Sequence, residues 1–351
     1  MRRLMLRTEL KTPGEIVKLR RKAGSRSRSH DERYIVLAFF VLFAIMSVFS
    51  PSFLTSYNLR NLLCTASITG IVACGMTAVM ATGGIDISVG SLLGLGGALS
   101  AYVLTKVEEP SVTAVAVAIL LSVLACGLLG LVNGVLTVKL RAPSLLITMG
   151  MMKAARGLVY LITGGKAVFF KEEISAYRWI GSGFVGNVPT LVVVFVVIAV
   201  AMGWILKKTV YGRYLCSIGL NANASYLSGV NVDRVALSAY VVCGLLAGLS
   251  GVILSSRLNS ATPDAGVNYE TLVITAIVLG GNSLTGGRAS ILGTVVGIFI
   301  MVMLANWLNL LGMQSIYQKI VTGGLLIIVL VVNTLTKRQS GKLLLAPSAG
   351  T

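Results

Sequence analysis

The protein has 351 residues, of which 55% are hydrophobic and 12% charged, with a formal net charge of +18. Soluble domains carry about 25% charged residues, so a solvated surface over most of this chain is excluded. A single histidine, His30, leaves no Ser-His-Asp triad and no His-rich metal site. The composition is that of an integral membrane protein with no cofactor of its own.

Residues 1–33 hold eleven Lys/Arg and four acids. No aromatic interleaving or DNA-binding motif accompanies this charge. A basic run beside an apolar segment marks the cytoplasmic side and meets anionic headgroups. The first apolar run, 34–50, lacks a small-residue cleavage pattern behind it and reads as an uncleaved span. Further segments of spanning type follow at 61–82, 87–105, 112–138, 144–163, 189–206, 235–256, 271–286, 289–306 and 317–335. The third, eighth and ninth are short or glycine-rich, which leaves a count of eight to ten. Alternation through ten spans from a cytoplasmic N-terminus places 21 of 30 basic residues on the cytoplasmic side with five acids. The opposite side then receives seven basic residues and six acids.

These numbers predict an all-α integral membrane protein of about ten transmembrane helices, multi-pass, with both termini in the cytoplasm. It divides into a basic extension (1–33), a membrane body (34–335) and a tail (336–351). Cys64, Cys74, Cys126 and Cys243 sit in apolar runs and Cys216 in a basic loop, which reads as packing rather than a disulfide framework.

Four patterns carry chemistry. Between spans two and three runs Gly83-Gly84-Ile85-Asp86-Ile87-Ser88-Val89-Gly90-Ser91. Paired glycines break a helix, and Asp86 reads as the one acid within or beside the apolar spans, a costly placement unless it is hydrogen-bonded. Asp86 or Ser88 caps the third span, or the segment is a hinge or a site near a translocation path. The two roles are compatible. Lys153 and Arg156 share a face of span five. Snorkelling is the simpler reading for Lys153. For Arg156, snorkelling stands beside pairing with Asp86.

A second break, Gly280-Gly281-Asn282-Ser283-Leu284-Thr285-Gly286-Gly287-Arg288, echoes the first. Discontinuous segments in two halves suggest the internal repeat of a transporter, spans 2–5 against 7–10. Gly90/Gly94, Gly244/Gly248 and Gly293/Gly297 offer faces for close helix packing. The long cytoplasmic loop 207–234 is the fourth pattern. Its residues 221–228 form a short, small-surfaced helix stopped by Gly229, suited to insertion into a cleft of another protein. No GxxxxGK[ST] run occurs anywhere in the chain.

Together, GGIDISVGS at 83–91, Ala155-Arg156-Gly157, Gly219 to Asn231, Leu279 to Arg288 and Asn306-Trp307-Leu308-Asn309-Leu310-Leu311-Gly312 resemble one family. It is that of the inner-membrane permeases of bacterial ABC importers for monosaccharides, the ribose/xylose/arabinose/galactose type. The motifs lie in order over nearly the whole hydrophobic chain. The resemblance implies a homodimeric pore, or one shared with a paralogous permease, for a monosaccharide or similar small polar solute. It also implies a cytoplasmic ATPase that holds ATP and Mg, and a periplasmic sugar-binding protein. The family's coupling helix maps onto 221–229, with Gly219, Asn221, Ala222, Ala224, Ser228 and Gly229 as coupling residues. Gly83, Gly84, Asp86, Ser88, Arg156, Gly280, Gly281, Asn282 and Ser283 are the broken-helix or pathway candidates. The basic extension and Lys153 depart from the family pattern. Two other classes stay open on sequence: an ion-coupled secondary transporter, and an intramembrane enzyme, for which no second catalytic group is evident.

Overall fold

The computed structural model describes residues 35–331, apart from residues 109, 171–173, 315, 322, 329 and 330. The extension 1–33, the tail 336–351 and the Lys171-Glu172-Glu173 cluster lie outside the described residues.

The chain begins with α1 (Ile35–Phe49). It continues through α2 (Ser56–Ala81), α3 (Val89–Thr105), α4 (Val112–Lys139) and α5 (Ser144–Thr163). A short helix α6 (Ser175–Ser182) precedes α7 (Thr190–Lys208), α8 (Val210–Leu220) and α9 (Ala222–Leu227). Then come α10 (Val232–Leu258), α11 (Tyr269–Leu279), α12 (Ile291–Leu310) and α13 (Ile316–Ile328). Each apolar segment read from sequence contains one helix. The helices α2, α4, α5, α7, α10 and α12 are long and apolar enough to cross a membrane, and α1, α3, α11 and α13 are shorter. All five cysteines are free thiols, four of them buried.

Local chemistry sets the helix ends. The side chains of Thr55, Ser111, Asn231 and Ser290 accept from the backbone N–H three residues on at Asn58, Ala114, Arg234 and Gly293, each satisfying a donor the helix leaves free. Gly164 and Asn259 end α5 and α10 in the left-handed conformation.

The 27-residue helix α10, about 40 Å long at 1.5 Å per residue, is the axis of the fold. It meets α2, α3 and α4 through small residues. A Cβ on Gly244 would overlap the carbonyl of Cys126, and one on Gly251 would overlap that of Leu93. The two small-xxx-small faces of α10 and α12 are thus backbone-to-backbone seams, which gain dispersion contacts that a larger residue would forfeit. At one end of the bundle, α6 is anchored by Tyr177. Its hydroxyl pairs with Ser100 Oγ at 2.7 Å and donates to Val252 O at 3.1 Å, tying α6 to α3 and α10.

The structure corrects two boundaries. Segment 271–286 is helical only to Leu279, because Gly280 packs against Gly293 of α12 and Gly281 turns at φ +81°. The stretch 207–234 is not a loop: α8 occupies its first half, started by Thr209 accepting from the Gly212 N–H. The connection 164–188 contains α6 and a two-residue hairpin, Phe184–Val185 with Val188–Pro189.

Two chain segments stop short of crossing. Gly96 lies against Gly248 and Gly97 against Gly251, so α3 runs parallel to α10. That register puts Val89 about ten residues above the start of α10, about 15 Å into the bundle. From the opposite end, residues 259–268 leave α10 and pair Ser260–Ala261 with Val168–Phe169. They then turn inward until Gly266 touches Gly90 backbone to backbone. The 11-residue helix α11 begins there. Irregular backbone at this depth is tolerated only where protein surrounds it.

Candidate functional site

The break 82–88 is held by side chains from two neighbouring helices. The Ile85 N–H donates to Ser144 Oγ at 3.2 Å and the Ile87 N–H to Thr148 Oγ1 at 3.1 Å, both on α5. Asp86 is fully buried. Its Oδ1 accepts from the Ser88 N–H at 2.9 Å and the Ser88 hydroxyl at 2.6 Å. Asn133 of α4 donates from Nδ2 to Ser88 Oγ at 2.9 Å and, more distantly, to both Asp86 oxygens.

Two expectations change here. Ser88 occupies the N-cap position but its side chain makes no capping bond. Asp86 satisfies the free N–H of Ser88 at the start of α3 but does not reach the helical turn itself. Asp86 also does not pair with Arg156, because its partners are the neutral Ser88 and Asn133. A Cβ at Gly84 would overlap the Tyr240 hydroxyl, which explains the second glycine of the pair.

Replacing Asp86 with alanine strands Ser88 and Asn133 without their acceptor. The expected loss is about 2–4 kcal/mol, read as a fall in thermal stability of the detergent-solubilised chain. Asp86→Asn keeps one acceptor oxygen and is expected to lose under half as much. Equal losses for the two would contradict the network.

The second break closes on Asn282, which is buried. Its Nδ2 donates to Ile277 O at 2.9 Å and Thr294 Oγ1 at 3.1 Å, and its Oδ1 accepts from the Ser290 N–H. Thr294 in turn pairs with Thr77 of α2 at 2.9 Å. Asn282 therefore clamps loop 280–290 shut, while Ser283 Oγ pairs with Thr285 within it.

The two breaks meet. The Gly287 N–H donates to Ala81 O at 2.9 Å, joining the loop to the end of α2. A Cβ on Gly286, itself at φ +81°, would lie 2.7 Å from Gly83 N and 2.7 Å from the Cα of Gly219. Gly219 stands in the last turn of α8, where a Cβ would overlap both Ala81 O and Gly287 N. Three separate glycine motifs thus form one backbone junction: at Gly219 and Gly286 a side chain has no room, and at Gly83 the backbone turns at φ +86°.

One residue beyond α8 lies α9. Asn221 accepts from the Ala224 N–H at 2.9 Å, Ser228 Oγ donates to Ala224 O at 2.8 Å, and Gly229 leaves the helix at φ +83°. Asn221, Ala222, Ala224, Ser228 and Gly229 are all exposed. The surface is not small throughout, since Tyr226 and Leu227 stand 69% and 85% exposed. Beneath α9 opens a cleft of about 1360 Å³, lined among others by Thr137, Arg141, Tyr226, Leu227 and Asn231.

Arg156 serves the other half of the bundle. Its Nη1 donates at 2.7 Å to the carbonyls of Pro263 and Ala265, and Nη2 reaches Gly90 O at 3.4 Å. Tyr160 donates to Asp264 at 2.8 Å from the same helix. The inward turn 262–268 is therefore pinned to α5 beside the start of α3. Gly94 leaves room for the guanidinium and Gly90 for Glu270. Glu270 is a second acid beside an apolar span: α11 starts at Tyr269, so Glu270 falls in its first turn. Sequence reasoning also passed over Asn133, the one asparagine in the apolar run of α4, whose polarity there was the available signal.

Shortened helices that start inside the bundle, irregular backbone sealed by side chains and several membrane-length helices define a multi-pass membrane permease. Residues 58–330 match the family described as branched-chain amino acid transport system / permease component, and the chain belongs to that family. The ribose import permease protein RbsC of Escherichia coli K12 is 41% identical over 304 residues, covering 86% of this chain and 93% of that protein. RbsC of Bacillus subtilis is 39% identical, covering 87% and 92%. The L-arabinose ABC transporter permease protein AraH of Azospirillum brasilense is 36% identical, covering 87% and 88%. No solved structure matches.

Proposed function

We propose that this chain is the membrane subunit of an ATP-driven importer for a monosaccharide or similar small polar solute. Two copies, or one copy and a paralogue, form the path. ATP and Mg bind a separate cytoplasmic ATPase, and a periplasmic binding protein delivers the solute. Both termini lie in the cytoplasm of a bacterial inner-membrane protein, with α8 and α9 on that side. The relatives named for ribose and arabinose support a sugar over an amino acid.

The observation that carries this reading is the junction of Gly83, Gly219 and Gly286. A helix docked on the ATPase would need a stiff route to the transmembrane breaks. Here α8 abuts both breaks with no intervening side chain. A shift of α9 driven by closure of two ATPase subunits therefore displaces both breaks together, biasing the inward- and outward-facing populations.

Gly229→Arg tests the coupling step. The site is open but has a positive φ, so the strain is about 1–2 kcal/mol. The variant is expected to insert and remain folded while ATP-dependent uptake is lost. Wild-type uptake by it would remove the coupling assignment of α9.

A further inference from the structure

The exposed faces of the long helices differ in chemistry. On α4 the exposed side chains include Val117, Leu120, Leu121, Leu124 and Leu128, and on α7 Val196, Val197 and Val200. Those aliphatic faces suit hydrocarbon. On α5, Leu146, Met149, Leu158 and Leu161 are also exposed, but among them successive turns present Gly150, Lys153, Gly157 and Tyr160. A Cβ on Gly150 or on Gly157 would meet nothing.

Lys153 is tenth of the twenty residues of α5, about 15 Å from either end. Its four-carbon stem covers less than half that distance, so snorkelling does not bring the ammonium to the membrane surface. Among the described residues it has no hydrogen-bond or ion-pair partner. Facing lipid there would cost several kcal/mol. Its depth is informative. Thr148, below it on α5, binds Ile87, and Arg156, above it, binds Gly90. Lys153 thus stands level with the start of α3 and the inner tip of turn 262–268, where discontinuous helices place substrate sites in transporters. The nearby acids face other groups: Asp264 accepts from Tyr160, and Glu270, beside Gly90, interacts electrostatically with Arg156.

The geometry points to this stripe as a wall of the aqueous solute path, with Lys153 as its fixed cation. The inference deepens the importer reading and rests on it. Lys153 offers N–H donors to the oxygens of a neutral or anionic polyhydroxylated solute, and it repels cationic ones. A cation at mid-path also hinders leakage of protons and metal ions.

The test is thiol accessibility in the complete complex in liposomes, with membrane-impermeant thiosulfonate reagents of either charge. Lys153→Cys and Gly150→Cys are compared with Leu124→Cys on the aliphatic face of α4. Both α5 thiols are expected to react at least about tenfold faster than the α4 thiol. With Lys153 present, Gly150→Cys is expected to favour the anionic reagent about tenfold over the cationic one. That preference is expected to vanish in the Gly150→Cys/Lys153→Gln double variant. Equal, slow labelling at all three positions would overturn the path assignment. A charge preference that survives Lys153→Gln would overturn the role of the lysine. Neither readout uses ATP, so a failure of the importer reading would register separately, as uptake independent of the ATPase.

Discussion

Gly219→Val is expected to abolish solute uptake and to lower the stability of the folded chain by about 3 kcal/mol. The first methyl-sized atom added there overlaps Ala81 O and Gly287 N, and both belong to backbone rather than to flexible side chains. No rotamer relieves the clash, so α8 must withdraw from the ends of α2 and of loop 280–290. Gly287 would then lose its hydrogen bond to Ala81. Size-exclusion profiles and thermal unfolding in mild detergent give the stability, and uptake in the reconstituted complex gives the activity. Gly157→Val on α5, where nothing lies within 4 Å, is the packing control and is expected to unfold within a few degrees of wild type. Normal uptake by Gly219→Val would show that the junction is not a mechanical link.

Leu227→Glu is expected to separate binding from folding. The side chain is 85% exposed at the end of α9, so its loss should change stability by no more than about 0.5 kcal/mol. An apolar residue this exposed beside Tyr226, over the 1360 Å³ cleft, fits the centre of a protein contact, where truncation costs about 2 kcal/mol or more. About 30-fold weaker association with the ATPase follows, measured as loss of co-purification of the ATPase with the tagged permease. Retention of the ATPase at wild-type stoichiometry would place the docking surface elsewhere.

The two substitutions probe opposite ends of a single device. Leu227 presents the surface, and eight residues earlier Gly219 passes any movement inward. Capping bonds at Asn221 and Ser228 keep α9 a rigid unit. The parts at the breaks are equally fastened, by Asn282 on one side and the Asp86–Ser88–Asn133 network on the other.

Much of this was legible in the residues themselves. Apolar run length located the helices, and the glycine pairs at 83–84 and 280–281 located the breaks. The stop at Gly229 was also readable, because each depends on local backbone preference or on side-chain solubility. Helix α8 is not legible there, because Gly212 and Gly219 weaken a short run that contact with α7 and α10 stabilises. Arg156 and Asp86 invited pairing by charge. The fold instead gives Arg156 three carbonyls and Asp86 two neutral partners. A carbonyl freed by irregular backbone needs a donor in a dry interior, and sequence does not display it.

Sequence alone determined that this is a multi-pass membrane chain with interrupted helices and a short terminated helix between two spans. Those properties follow from hydrophobicity, helix length and glycine, which act over a few residues. Only the tertiary structure decided that Gly83, Gly219 and Gly286 touch, that α3 and α11 start at mid-depth, and that Lys153 faces outward there. Those facts depend on the register between helices far apart in the chain, and register is set by the packing of whole faces.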